Sequence, residues 1–204
     1  MADDRNTLSP TPVREAAQSA PPRSMVSLFS GIGGLDVGLE CAGFRVRWCV
    51  EHDEMARRTL SALHPEWPLD HEGDVSQVDA RRWMISAGLR AGDLDLLAAG
   101  PPCQPFSHAS AWHQAPSRLD DERVEPFRAL FRTVAAHLKP RVILIENVPS
   151  LGNEAGQRWL RMWFQRLNRA AGTAYAPSFV TLNAVEHGVP QSRRRLFVVA
   201  ERSG

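Results

Sequence analysis

Short apolar runs alternate with amphipathic stretches from Met25 onward. Seven apolar runs have the length and composition of strands: Met25–Phe29, Arg45–Val50, Leu69–Glu72, Leu94–Ala98, Val142–Ile145, Ser178–Asn183 and Leu196–Ala200. Helical spacing of apolar residues predicts helices at Gly34–Ala42, Glu54–Leu63, Ala80–Ala87, Phe127–His137 and Arg158–Ala171. Strands that alternate with helices are the signature of an α/β fold, which we therefore expect. The apolar face of the last helix, with Trp159 and Trp163, predicts core packing rather than cofactor binding.

Two stretches of the chain lack this periodicity. Residues 1–24 contain four prolines among Ser, Thr and Ala, and we expect them to form a disordered tail ahead of one domain at residues 25–204. The segment Ser107–Pro126 shows little strand or helix signal and is long for a connector. Because long loops in compact domains are often functional, we expect this segment to be a lid or a binding loop.

Composition narrows the class of protein. No run of 18 apolar residues is present, and the polar N-terminus lacks the apolar stretch of a secretory signal, so we expect a cytoplasmic protein without a membrane span. The three cysteines are few and odd in number, which predicts no disulfide framework, and without CxxC spacing they predict no metal site. The net charge of +1 argues neither for nor against a nucleic-acid partner.

A glycine-rich loop follows the first predicted strand. Its sequence is Phe29-Ser30-Gly31-Ile32-Gly33-Gly34, and a helix follows. Glycines at a strand-to-helix turn let the backbone approach a ligand closely, and the helix start offers free N–H groups. The pattern is not the full dinucleotide motif, because Asp36 stands where its last glycine belongs. A glycine-rich turn without a ligand therefore remains an alternative.

Two acids follow the next predicted strands. Glu51, at the tip of the second strand, has the position of a carboxylate that holds ribose hydroxyls, although it could also be a solvated acid at a helix start. Asp74 could accept from an adenine amino group or could cap the next helix. The loop and the two acids together predict a nucleoside-containing cofactor, either NAD or S-adenosylmethionine.

The fourth predicted strand ends in Gly100-Pro101-Pro102-Cys103-Gln104-Pro105. The prolines stiffen this loop, which predicts a thiol held in place at the carboxyl edge of the sheet. Cys41 and Cys49, with apolar neighbours, are expected to be ordinary packing residues. Glu146 directly follows the fifth strand and should reach the same edge, where it could act as an acid or form a plain ion pair.

Three arginines precede the last strand, at Arg193, Arg194 and Arg195. Strand alternation places the first and third on one side and the second on the other. The cluster could bind phosphate or carboxylate groups, or it could be a solvated basic edge.

These motifs, in this order, resemble those of the DNA cytosine-5 methyltransferases. The matching segments are Phe29–Gly34, Glu51, Asp74, Pro101-Pro102-Cys103-Gln104, Glu146-Asn147-Val148 and Gln191-x-Arg193-x-Arg195. The resemblance implies a Rossmann-like methyltransferase fold with a mostly parallel, seven-stranded sheet and helices on both faces. It also implies S-adenosylmethionine as cofactor, with S-adenosylhomocysteine as product. The implied cofactor-binding residues are Phe29, Ser30, Gly31, Ile32, Gly33, Gly34, Glu51, His52, Asp74, Val75, Gly100 and Pro102.

The resemblance further implies the catalytic roles. Cys103 would add to C6 of the cytosine, and Glu146 would protonate or share a proton with N3. Arg195 would hold the O2 atom, Arg193 would position the base or the acid, and Asn147 would fix the loop. The substrate would be double-stranded DNA, whose target base must leave the helix to reach such a pocket.

The chain departs from the family in three places, one of which is an imperfect middle motif at Arg118–Arg123. Ser27 stands where many members have Asp. Members also continue beyond the arginine motif into a target-recognition domain and a final helix that completes the cofactor site. We therefore expect a second protein chain to carry both parts, as in a split enzyme, although a truncation or a fragment is an alternative.

Two other functions remain open. The chain could be a non-catalytic remnant that binds S-adenosylmethionine or DNA and regulates a partner. It could also methylate cytosine in tRNA, but it lacks the Cys-Phe-Thr signature of that branch. Restriction–modification, phage defence and regulation are all open as biological roles, in a bacterial or phage setting and near the nucleoid.

Overall fold

The computed structural model describes residues 22–102 and 124–203. Cys103, the predicted tail up to residue 21 and all but the last residues of Ser107–Pro126 lie outside these ranges. Within the described ranges, no helix has the length and apolar character needed to cross a membrane.

Six strands form one sheet in the described part of the chain. They are β1 (Arg23–Leu28), β2 (Phe44–Val50), β3 (Leu96–Ala99), β4 (Val142–Asn147), β5 (Tyr175–Asn183) and β6 (Arg194–Arg202). Their order across the sheet is β2-β1-β3-β4-β6-β5. The pairs β1–β2, β1–β3 and β3–β4 are parallel, whereas β6 is antiparallel to β4 and β5. The predicted α/β sheet is thereby confirmed, with a parallel half and an antiparallel half.

The third predicted strand, Leu69–Glu72, is reduced to one bridge between its first residue and Cys49. The cause is the side chain of Asp70. This buried carboxylate accepts hydrogen bonds from the backbone N–H groups of Glu72 at 3.0 Å and Gly73 at 3.2 Å. A side chain that binds nearby backbone groups in this way competes with a β-ladder, so the segment turns instead of extending the sheet.

Within residues 22–102 and 124–203, five helices connect the strands. Four are regular: α1 (Gly34–Cys41), α2 (Glu54–Leu63), α3 (Ala80–Ala87) and α5 (Glu154–Ala171). The composite helix α4 lies between α3 and α5, and its parts are Glu125–Ala129, a π-helical segment at Leu130–Ala135 and a last turn at Ala136–Leu138. Short 3-10 turns occupy Pro149–Gly152 and Ala184–His187.

The boundaries of α2 and α3 agree with the sequence prediction, whereas α5 starts earlier than the predicted Arg158. The reason is a cap that the periodicity does not show: the side chain of Asn153 accepts a hydrogen bond from the N–H of Gly156. Trp163 is 3% exposed and Leu167 is 2% exposed, which confirms that the apolar face of this helix packs in the core.

Two apolar clusters cover the two faces of the sheet. The larger one joins residues of α3, α4 and α5 to the strands, with Phe127, Phe131 and Phe164 almost fully buried. The smaller one lies on the opposite face, where Leu60 of α2 and Trp67 pack against β1, β2 and β3. Helices therefore flank both faces, as expected.

The smaller cluster ends before the antiparallel half of the sheet. Among the described residues it contains none from β5 or β6. On that side, Val199 lies beside Leu144 of β4, and Val180 lies beside Phe197. Val199 is 38% exposed and Val180 is 45% exposed. We call this part of the sheet, formed by Leu144, Val180, Phe197 and Val199, the uncovered apolar face.

Candidate functional site

The carboxyl ends of β1, β3 and β4 lie side by side in the sheet. Their register fixes this, because Leu28 pairs with Ala99 and Ala99 pairs with Ile145. The glycine loop, the proline loop and Glu146 follow these three ends. A cleft of roughly 770 Å³ opens here, lined by the glycine loop, Gly100, Glu146 and the connection between β5 and β6. Ligands bind at this edge in open α/β sheets, so the cleft is the candidate active site.

The glycine loop has a tightly curled backbone. Phe29, Gly31 and Gly33 all have positive φ angles, of 58°, 56° and 86°. Gly33 has no room for a side chain, because an added Cβ would lie 2.9 Å from the ring of Trp67. The N–H of Gly33 donates to the carbonyl of Ser30 at 2.9 Å, which closes the turn. The loop therefore has one defined shape, supported from behind by Trp67.

Glu51 fastens this loop to the end of β2. Its Oε2 atom accepts from the N–H of Gly31 at 2.7 Å, and its Oε1 atom accepts from the N–H of Asp53 at 2.7 Å. The cap of α2 is Asp53, whose side chain accepts from Ala56. Glu51 is therefore not a solvated helix-start acid, and each of its oxygens keeps a lone pair for a ligand hydroxyl. His52, next to it, is exposed.

Asp74 holds a turn at the edge of the predicted adenine site. It accepts from the N–H and the hydroxyl of Ser76, both at 2.8 Å, and from Gln77 at 3.2 Å. Partial burial alone would raise the pKa of Asp74, but these hydrogen bonds hold it below its ordinary value. Asp79, not Asp74, caps the next helix. Val75 is buried at 3% exposure.

The start of the proline loop is anchored from two strands. The N–H of Gly100 donates to the carbonyl of Leu28 at 3.1 Å. The side-chain amide of Asn147, itself 3% exposed, donates to the carbonyl of Pro101 at 2.9 Å. Pro102 is exposed. Asn147 therefore anchors the loop at the carbonyl of Pro101. Cys103 itself lies outside the described residues.

Glu146 forms an ion pair with Arg195 across the β4–β6 pair. The Nε atom of Arg195 lies 2.9 Å from Oε1 of Glu146, and each side chain is 26% exposed. An added Cβ on Gly100 would lie 3.9 Å from Oε2 of Glu146. The acid therefore faces the start of the proline loop, with one oxygen paired and the other turned toward the cleft.

The arginine cluster divides as strand alternation predicts. Arg193 and Arg195 line the cleft, and Arg194 does not. The family resemblance implied that Arg193 positions the base or Glu146; in the described structure, the ion pair with Glu146 is formed by Arg195. Arg193 remains exposed at the rim of the cleft.

Several residues of the cleft wall were not expected from the sequence, among them Asp36 in the first turn of α1. Its exposure is 0%, and neither carboxylate oxygen accepts a hydrogen bond in the described structure. Burial raises the pKa of Asp36 to about 6, an effect that Ser27 partly offsets. The one available signal was its position in place of a motif glycine.

A search against protein-family models matches residues 23–204 to the C-5 cytosine-specific DNA methylase family. Among curated relatives, the type II methyltransferase M.AquIA of Picosynechococcus is 33% identical over 89% of this chain. M.SacI of Streptomyces achromogenes is 34% identical and M.Eco47II of Escherichia coli is 36% identical, each over 88% of this chain. The matched region covers 73% of M.AquIA, 48% of M.SacI and 40% of M.Eco47II, so the chain spans less than half the length of the last two.

Solved structures share the fold. A protein described as a DNA modification methyltransferase of an E. coli prophage superposes with a TM-score of 0.67 and 28% identity, over 88% of this chain and 47% of that one. The S. pombe Dnmt2 methyltransferase gives 0.62 at 23% identity, over 88% of this chain and 50% of that one. The second likeness, at this identity, concerns the fold alone.

The unpaired carboxylate of Asp36 predicts a pH-dependent cost to folding. Its pKa rises from an ordinary 3.8 to about 6 on folding, so the folded state holds the proton more tightly. Such a group favours folding at low pH, and that contribution is lost as the pH rises from about 4 through 6. Two pKa units correspond to about 3 kcal/mol. We expect Asp36→Asn to stabilise the ligand-free chain by up to about that amount at pH 7.5, and far less at pH 4.5.

Urea unfolding at the two pH values measures this difference. Glu54→Gln is the control, because it removes an equal charge from an exposed carboxylate whose ion pair with Arg58 contributes little, and it should change stability little at either pH. A loss of stability in Asp36→Asn at pH 7.5 would contradict the prediction.

Proposed function

Because the chain belongs to the C-5 cytosine-specific DNA methylase family, we propose that it transfers a methyl group from S-adenosylmethionine to C5 of cytosine in double-stranded DNA. The observation that carries the proposal is the meeting of three parts at one cleft. The glycine loop is fixed by Glu51, the start of the proline loop is fixed by Asn147, and Glu146 is held by Arg195. A methyl donor, a nucleophile and a proton donor are what methylation of this ring carbon requires.

The residues at the end of β2 fit the nucleoside part of the cofactor. Gly31 carries no side chain, and an added Cβ there would meet no atom within 4 Å, so a ligand can approach the loop backbone closely. Glu51 would accept from the ribose hydroxyls, and Asp74 would accept from the adenine amino group. The bound cofactor supplies the electrophilic methyl group. His52 and Val75 would complete the adenine side, and Pro102 the opposite side.

Cys103 would activate the cytosine, whose C5 is otherwise a poor nucleophile. The thiolate adds to C6 while N3 takes a proton, and the ring electrons then reach C5, which takes the methyl group. Loss of the C5 proton to a base expels the thiolate and restores the aromatic ring. Each bond that Cys103 makes is broken again, so the enzyme returns unchanged.

Glu146 is placed to share the proton at N3. Its pairing with Arg195 keeps the carboxylate in one orientation at the cleft, and in the proposed complex Arg195 would turn its remaining N–H groups toward the O2 atom of the base. Asn147 would keep the thiol at a fixed distance from this pair, because it holds the carbonyl of Pro101. Arg195 and Asn147 would thus fix the geometry of the site before the base binds.

The target base would leave the DNA stack to enter the cleft, since ring atoms inside a duplex are out of reach. Arg193 and Arg194 are exposed beside the cleft and would contact phosphates. The curated relatives are type II methyltransferases, and we propose a similar role in protecting DNA inside a bacterial or phage-infected cell.

We further propose that another part of the enzyme packs on the uncovered apolar face. That face borders the cleft, because Phe197 belongs to both. A helix there would close the cofactor site, and a target-recognition domain would accompany it, as expected from the sequence. We propose that a second chain supplies both parts.

The covalent role of Cys103 predicts a trap. DNA with 5-fluorocytosine cannot lose a proton from C5, so the adduct should persist once methylation has occurred. We expect a denaturation-stable complex in the presence of S-adenosylmethionine and any copurifying partner. It should vanish in Cys103→Ser and persist in Cys41→Ser, whose thiol is exposed. A trap that survives Cys103→Ser would disprove the assignment.

The ribose role of Glu51 predicts a loss that depends on the ligand. Glu51→Ala should weaken S-adenosylhomocysteine binding by about 1–3 kcal/mol, because hydroxyl donors lose their acceptor. A 2′,3′-dideoxy analogue lacks those donors and should bind both proteins almost equally. Calorimetry with Glu54→Ala as the exposed control measures both ligands. An equal loss for both ligands would mean that Glu51 acts only through Gly31.

The incomplete cover of the sheet predicts low activity of the chain alone. A specific DNA interface buries roughly 1,000–2,500 Å² of protein and is strongly positive, whereas this chain has a net charge of +1. We expect weak, unspecific methyl transfer to mixed-sequence DNA at moderate salt. A basic partner isolated with the chain should restore specific methylation. Specific methylation by the purified chain would rule out the need for that partner.

A further inference from the structure

Asp36 is a buried charge that the proposed mechanism does not use. A carboxylate with no exposed surface and no cationic hydrogen-bond partner is costly, so proteins rarely keep one without a purpose. The charged groups that affect it electrostatically are Glu40, which opposes its ionisation, and His64, which favours it. Neither makes a direct contact that would satisfy its oxygens.

On the side of the cleft, the residues next to Asp36 are small. It lines the cleft together with Ser27, Gly34 and Gly38. An added Cβ on Gly34 or on Gly38 would meet no atom within 4 Å, so open space lies beside the helix here. The hydroxyl of Ser30 donates to that of Ser27 at 2.9 Å, which leaves the hydrogen of Ser27 free to point toward the acid. The carboxylate thus lies behind a thin, polar wall.

The geometry of the cleft indicates which end of the methyl donor lies here. The nucleoside end belongs at Glu51 and Asp74, beyond the glycine loop. The methyl group must reach the part of the cleft lined by Gly100 and Glu146. The amino-acid chain leaves the same sulfur atom, so it must also lie in the cleft, where its α-ammonium group needs a counter-charge.

We propose that Asp36 is the counter-charge for the α-ammonium group of the methyl donor, acting at the wall formed by Ser27, Gly34 and Gly38. The inference rests on the proposed function, since it requires the donor to occupy this cleft. It explains why a buried acid is kept without a protein partner: the ligand is the partner. Asp36 is thus a donor-binding residue that favours the bound state at the expense of the free one.

Two ligands that differ at the amino-acid end, which carries the α-ammonium group, test the proposal. S-adenosylhomocysteine carries the ammonium, whereas methylthioadenosine has the same nucleoside and sulfur without the amino-acid end. Binding of each is measured by calorimetry at pH 7.5 for the wild type, Asp36→Asn and Glu40→Gln. We expect Asp36→Asn to weaken S-adenosylhomocysteine by about tenfold or more, as for the loss of one charged contact. Methylthioadenosine should change less than about twofold, and Glu40→Gln should behave as wild type.

A merely structural role gives a different result. In that case Asp36→Asn would weaken both ligands alike, together with a lower melting temperature of the free protein, and the proposal would be overturned. Unchanged binding of S-adenosylhomocysteine would overturn it as well. If the wild type, together with any copurifying partner, bound neither ligand, the proposed function itself would fail and this inference with it, so the two failures are distinguishable.

Discussion

The register of the three parallel strands β1, β3 and β4 determines the rest of the site. Leu28, Ala99 and Ile145 lie in one row across the sheet, so the segments that follow them emerge side by side. Backbone hydrogen bonds set this row, and a slip by one residue would turn every side chain to the opposite face. Neither the glycine loop nor Glu146 could then face the same cleft.

The carboxylates at this edge of the sheet differ in whether the protein supplies partners for their oxygen atoms. Glu51 and Glu146 have partners in the protein, the first from backbone N–H groups and the second from Arg195. Their charges are therefore stabilised in the free protein, and keeping them at the cleft costs little free energy of folding. Asp36 has no such partner and carries a raised pKa. A cationic ligand that pairs with Asp36 would offset the destabilisation that this buried charge causes in the free protein.

The sequence predicts the helices and strands well where the local apolar periodicity agrees with the tertiary packing. The bounds of α2 and α3 follow from apolar periodicity, and six of the seven predicted strands, all except Leu69–Glu72, overlap observed strands. Leu69–Glu72 failed because one side chain, Asp70, captured the backbone donors of its neighbours. The pairing of Glu146 with Arg195, and the burial of Asp36, depend on distant strands and helices meeting, which no local pattern contains.

The central claim is that Cys103 and Glu146 together activate C5 of cytosine in DNA. Tritium at C5 of cytosine in DNA measures this directly, since the covalent adduct makes that hydrogen exchangeable with water even without a methyl donor. We expect the chain, with any copurifying partner, to release tritium. Cys103→Ser should abolish this release, and Glu146→Gln should strongly reduce it. Release that is unaffected by Cys103→Ser, or methylation at another atom without any release, would contradict it.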